Sequence, residues 1–168
     1  YAQYFDDEQA KRIDFVKGGS LGANAFALPN GHMVLTDELV ALAKNDQQLL
    51  AVMAHERGHI VLKHSLQQAI AGVGISLILV WVTGDGSDLL AGIPAALLSL
   101  NYSRDFEREA DQYAVTQLQA AQIPVQHFVD FLNLLAEQHG DGENGVLELL
   151  SSHPSTPERV AAVQVMAK

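Results

Sequence analysis

The sequence predicts an α+β fold that is mostly helical, with a small sheet or hairpin beside one central helix. Three observations carry this. Apolar residues recur at three- and four-residue spacings over residues 46–66, 104–120 and 125–138, the period of a helix with one buried face. Short apolar or alternating runs bounded by turn residues fall within the first 36 residues and read as strands. With 168 residues and 48% hydrophobic side chains, the chain has material for a single domain with a sizeable core, and two independent cores would be crowded.

Each element follows from local chemistry. Ile13-Asp14-Phe15-Val16 alternates and reads as a strand. Asn24 to Leu28 and Met33 to Leu35 flank Pro29-Asn30-Gly31-His32, a turn-forming group between apolar runs, which predicts a hairpin. Thr36 is an N-cap ahead of Asp37 and Glu38, acids that suit the positive end of a short helix reaching about Lys44. Asn45 and Asp46 open a second helix carrying Leu49, Val52, Met53, Ile60 and Leu66, with no proline before residue 70.

Residues 69–82 hold no charge, and after Thr83 to Asp88 a second apolar run covers residues 89–100. Each run is shorter than the ~20 residues of a membrane span. They predict a buried helical hairpin, or else one that dips into a bilayer or meets a partner. Arg104 to about Ala120 reads as a helix with Phe106, Ala110, Tyr113, Ala114 and Leu118 near one face, stopping before Pro124. Val125 to about Gln138 forms another, with Phe128, Phe131, Leu132 and Leu135 inward. After a glycine-rich loop at residues 140–145, Ser155-Thr156-Pro157-Glu158 opens a final helix.

Composition removes several function classes. Twenty acidic against ten basic side chains give a net charge of −10, which repels phosphate backbones, so no nucleic-acid partner is expected. The absence of cysteine excludes a disulfide framework, a Cys-rich zinc site and a thiol nucleophile. The chain starts at Tyr1 without a methionine or signal-like segment, as expected of an excised or processed domain.

The chemistry concentrates in His55-Glu56-Arg57-Gly58-His59. Histidines four apart on a helix project from one face, so both imidazoles can meet one metal ion at about 2.0–2.1 Å. Glu56, turned about 100° from His55, is placed to act as general base on a water at that metal without ligating it. Gly58 removes a side chain next to His59, where another backbone needs to approach. Arg57 lies roughly 200° from His55, away from the metal, and is expected to be paired or exposed.

A catalytic zinc site takes three protein ligands and keeps one position open. In Asn101 to Asp111, Glu107 and Asp111 share a helix face. Glu107 could supply the third ligand while Asp111 orients a ligating imidazole; the plain alternative is a charged helix surface. His32, His64, His127 and His139 have no partner at ligand spacing, and surface or packing roles are expected of them.

Taken together, Asn24-Ala25-Phe26-Ala27-Leu28-Pro29-Asn30-Gly31, His55 to His59, Ser103-Arg104 leading to Glu107 and Ala110-Asp111, and His153-Pro154 before Glu158-Arg159 resemble the HtpX and CAAX-prenyl-protease (Ste-type) family of zinc metallopeptidases. The resemblance covers about residues 20–165 and implies a zincin-like domain of the gluzincin kind. It implies one Zn2+ held by His55, His59 and Glu107 (selecting Glu107 over Glu109), with Glu56 as general base in peptide hydrolysis. His153 resembles the family's histidine before proline and could donate to the oxyanion, or else cap or anchor its loop. Arg159 is an alternative donor or a brace for the active-site helix, with Tyr102 and Tyr113 as weaker candidates. Beside the active site, Asn24, Ala25 and Phe26 would bind an extended substrate by strand addition, or else serve only the sheet. The implied partner is a peptide or unfolded protein, and the implied location is a membrane, reached through a segment outside this sequence. The competing reading is a latent protease-like module that binds or regulates membrane-protein partners.

Overall fold

In the computed structural model, residues 1, 4, 12–72, 102–141, 153 and 157–167 are described, those from 138 to 141 by backbone alone. The expected hairpin at residues 69–100 lies outside them from residue 73 onward.

The architecture is mostly helical with a three-stranded sheet, as the periodicities predict. Strands β1 (Ile13–Val16), β2 (Ala25–Ala27) and β3 (Met33–Thr36) are ordered β1-β3-β2. β1 runs parallel to β3, pairing Ile13 with Met33 and Val16 with Thr36, while β2 runs antiparallel, pairing Ala25 with Leu35. The β2–β3 turn closes through Gly31 N–H donating to the Leu28 carbonyl at 2.9 Å, with Gly31 at φ 84°, a left-handed conformation that favours glycine.

Helix α1 (Asp37–Leu42) follows β3 directly. The buried Thr36 hydroxyl accepts from Leu39 N–H at 3.2 Å, which caps the helix as predicted. It also accepts from Asn24 N–H at 2.8 Å and donates to the Asn24 carbonyl at 3.1 Å, so one side chain ties helix start to hairpin.

Helix α2 (Asp46–Val61) is the centre of the molecule. Asn45 Oδ1 accepts from Gln48 N–H at 2.9 Å while Gln48 Oε1 accepts from Lys44 N–H at 2.9 Å, a reciprocal cap. The helix is buried on nearly all sides because two apolar layers enclose it. Leu50, Ala51 and Ala54 pack with residues of α4 (Arg104–Ala120), α5 (Gln126–Asp141) and α6 (Pro157–Met166), among them Leu118, Phe128 and Val163. Val52 and Met53 pack with Ala25, Met33, Leu35, Leu39 and Phe131. Burial on both flanks holds α2 rigid, which suits a helix that must present ligands.

One expectation fails here. The second helix does not continue to residue 70. Lys63 takes φ 59° and its N–H bonds to the Ile60 carbonyl at 3.1 Å, ending α2, and α3 (His64–Gly72) starts at the next residue as a separate helix. A left-handed residue after a helix satisfies its last carbonyls, and no proline or glycine is needed to produce the break.

Candidate active site

The two histidines of α2 face α4 because the helices come unusually close. A Cβ on Gly58 would lie 3.0 Å from Ala110 Cα and 3.2 Å from Tyr113 Cβ, closer than ordinary contact. That approach carries the buried face of α4, with Glu107, Ala110, Asp111 and Ala114, against His55 and His59. Ser103 caps α4 through its hydroxyl, which accepts from Phe106 N–H at 3.2 Å.

Donor atoms of four residues converge at the junction. His55 Nε2 and His59 Nε2 are 3.1 Å apart, and Glu107 places Oε2 3.5 Å from the first and Oε1 3.2 Å from the second. His153 joins them, with Nδ1 3.3 Å from His55 Nε2 and 3.1 Å from Glu107 Oε1. All four residues are buried, and each offers a ligand atom within 4.8 Å of the others. Ligands 2.0–2.1 Å from a tetrahedral ion lie about 3.3–3.4 Å from one another. The observed spacings match that figure within a few tenths of an ångström, so the donor set fits a metal such as zinc.

The surroundings orient these donors. Asp111 Oδ1 lies 3.0 Å from His55 Nδ1. Arg159, buried on α6, donates to both Asp111 oxygens at 2.8 and 2.7 Å and sets Nη1 2.5 Å from Glu107 Oε2. One guanidinium thus bridges the two carboxylates that α4 aims at the site. Tyr102, by contrast, stacks its ring on His59 at 3.8 Å, and its hydroxyl is engaged with Ser65 Oγ at 2.9 Å.

Electrostatics favour a cation at this point. Burial alone would depress the His55 pKa, but Glu107 and Asp111 outweigh it and raise it from 6.5 to about 9. Burial works against charge on Glu107 as well, yet His153, Arg159 and His55 hold its carboxyl well below the usual range. Burial, together with the charges of His55 and His153, pushes His59 far down. A neutral imidazole beside an ionised carboxylate is the state that binds a metal.

Glu56 stands beside the cluster, buried, with Oε1 3.5 Å from His153 Nε2, while its Oε2 makes no hydrogen bond among the described residues. A small cavity of about 20 Å³ adjoins Glu56, His55 and His153 against the apolar wall of Phe128, Phe131 and Leu132. A larger groove, about 180 Å³, runs between the hairpin turn at Leu28 to Gly31 and His59, Ile60, Lys63, Ser65 and Leu66. Asn24, Ala25 and Phe26 are buried, and among the described residues β2 forms one edge of the sheet. Arg57 is half-buried.

The structure therefore gathers His55, His59, Glu107, Asp111, His153, Arg159 and Glu56 in one place. His64, expected to fill a surface or packing role, is buried with its ring stacked on Phe106, and it also lies against His59, its Nδ1 3.1 Å from His59 Nδ1 and its Nε2 3.1 Å from Glu109 Oε2. Five residues of separation on one helix gave no sign of this contact; the break at Lys63 creates it. His32 pairs with Asp14 at 3.2 Å, and His127 is half-buried away from the cluster.

Comparison with known proteins agrees with this chemistry. The chain is 32% identical over 152 residues to the beta-barrel assembly-enhancing protease of Escherichia coli K12, covering 82% of this chain and 31% of that protein. It is 30% identical over 148 residues to the metalloprotease YcaL of the same organism, covering 84% of this chain and 57% of that protein. It is 27% identical over 146 residues to the mitochondrial metalloendopeptidase OMA1 of Schizosaccharomyces pombe, covering 84% and 42%. The chain thus spans from just under a third to somewhat over half of the length of these relatives. They are named as assembly-enhancing, YcaL and OMA1 proteases, so the resemblance to HtpX and CAAX prenyl proteases holds at the level of the wider family. The model of peptidase family M48 matches residues 7–167, and the chain belongs to that family as a metallopeptidase.

Proposed function

We propose that the domain is a zinc-dependent endopeptidase that hydrolyses peptide bonds in peptide or unfolded protein substrates. The observation that carries this is the meeting of His55, His59 and Glu107 at tetrahedral spacing with the Glu56 carboxylate beside them. When bound, one zinc per chain would supply a Lewis acid that polarises the scissile carbonyl and lowers the pKa of water to about 7.

The chain's own residues do the rest. Glu56 accepts the proton of the attacking water and delivers it to the leaving amine; its buried Oε2 has no competing hydrogen bond among the described residues. Asp111, held by Arg159, sets its carboxylate 3.0 Å from His55 Nδ1, where its charge favours the ring proton on Nδ1 and leaves Nε2 bare for the metal. Asn24, the adjoining edge-strand residues Ala25 and Phe26, and the groove beneath the hairpin turn align an extended substrate. Glu56→Gln should keep one zinc per chain and lose peptide cleavage. Equal cleavage by wild type and variant would overturn the proposal.

A second reading is favoured by His153. A catalytic zinc keeps one position open, whereas His153 Nδ1 stands where a fourth protein ligand would. In that state the domain is latent, and cleavage requires His153 to withdraw. His153→Ala raises cleavage if the residue closes the site and lowers it if the residue donates to the oxyanion. Attachment to a membrane we propose on the motif resemblance alone. Cell fractionation of the full-length protein tests it, and recovery wholly in the soluble fraction would overturn it.

A further inference from the structure

We infer that His64 is a positioning residue for His59, acting as a neutral hydrogen-bond acceptor that holds His59 in one tautomer and is itself anchored by Glu109. The inference rests on the metal-site reading above. It begins from proton bookkeeping. His59 Nε2 faces His55 Nε2 at 3.1 Å and Glu107 Oε1 at 3.2 Å, so that nitrogen must be bare to bind a cation. Its proton then sits on Nδ1, which is 3.1 Å from His64 Nδ1. An N–H facing a nitrogen at that distance needs an acceptor, so His64 Nδ1 is bare and the His64 proton lies on Nε2. That proton points at Glu109 Oε2, 3.1 Å away.

Every donor in the chain Glu109–His64–His59 thus has one acceptor, and no other assignment leaves His59 Nε2 free without setting two N–H groups against each other. The two ligating histidines are supported differently. His55 meets the Asp111 carboxylate directly, while His59 reaches the Glu109 carboxylate through a second imidazole. Glu109 is 58% exposed, so the outer end of this relay lies at the surface.

The backbone is built to make the contact. On an uninterrupted helix, residues five apart are turned about 140° from each other and cannot touch ring to ring. The left-handed Lys63 ends α2 and swings His64 back over His59. Phe106 then stacks on the His64 ring at 4.2 Å with 8° between the planes, and His64 is 1% exposed. A buried ring held on one face and at both nitrogens has a single orientation to offer.

Zinc affinity, measured by competition with a chromophoric chelator, separates acceptor from packing. His64→Phe keeps an aromatic ring against Phe106 but offers no acceptor, and should bind zinc about 10–100-fold more weakly. His64→Asn places an amide oxygen near the Nδ1 position and should stay within about threefold of wild type. Glu109→Ala, exposed and safe for folding, should weaken binding by less than about tenfold. In the zinc-loaded, 15N-histidine-labelled wild type, a nitrogen–nitrogen coupling through the hydrogen bond should link His59 Nδ1 to His64 Nδ1. Wild-type affinity in His64→Phe, or equal losses in His64→Phe and His64→Asn at unchanged melting temperature, would overturn the inference, as would absence of that coupling. Wild type that binds no zinc would instead defeat the proposed function, and this inference with it.

Discussion

Gly58→Ala tests the claim that a close helix crossing assembles the site. A glycine inside a helix costs about 1 kcal/mol relative to alanine, so at an open position this substitution would stabilise the protein by that amount. Here the added Cβ would meet Ala110 Cα at 3.0 Å, the Ala110 carbonyl oxygen at 3.1 Å and Tyr113 Cβ at 3.2 Å, two of the three being backbone atoms that cannot rotate away. Restoring ordinary contact at 3.4–4 Å requires α2 and α4 to part by about half an ångström, and overpacking of this kind costs about 1–3 kcal/mol. The balance is a loss of about 0–2 kcal/mol, or up to about 8 °C in melting temperature at 2–4 °C per kcal/mol.

The larger effect should fall on the metal. His55 and His59 belong to α2 and Glu107 to α4, so the separation is transmitted to the donor set. Half an ångström exceeds the roughly ±0.2 Å that metal–ligand distances tolerate, so zinc affinity should fall by about tenfold or more. Thermal melts of the metal-free protein and chelator competition measure the two quantities separately. A variant that melts higher than wild type and binds zinc as tightly would refute the crossing argument.

Two further outcomes follow from other features. Because Glu107 and Asp111 raise the His55 pKa to about 9 in the metal-free protein, metal must displace a proton there; apparent zinc affinity should rise about tenfold per pH unit from 7 toward 9, fall as pH falls, and flatten above about 9. Affinity that is constant between pH 7 and 9 would contradict this. Lys63 and Gln122 end their helices at φ 59° and 58°, where an L side chain costs about 1–2 kcal/mol, so Lys63→Gly and Gln122→Gly should each raise the melting temperature by about 2–4 °C once the greater freedom of unfolded glycine is subtracted. Unchanged or lower melting in both would show that the conformation is not strained.

Much of the site was legible because its components are local. Two histidines at i and i+4, with a glutamate between them, share a face whatever surrounds the helix, and the same rule aligns Glu107 with Asp111. Thr36, Asn45 and the Pro29-Asn30-Gly31 turn announce their elements because a cap or tight turn is settled by atoms within three or four residues. Gly58 could be read as a point of close approach, though not which backbone approaches.

Tertiary structure decided the remainder. Arg159 follows His55 by 104 positions, yet its guanidinium bridges Asp111 and Glu107; only the packing of α6 on α4 and α5 places it there. His153 enters the donor set through a chain path that no spacing encodes. The sequence carries no sign of the His64 contact because an unbroken helix turns that residue away from His59, and the left-handed Lys63 has no breaker residue to betray it. The physical division is one of range. Helical periodicity determines which side chains leave one element together, while burial, helix crossing and a single backbone dihedral determine which side chains from different elements meet.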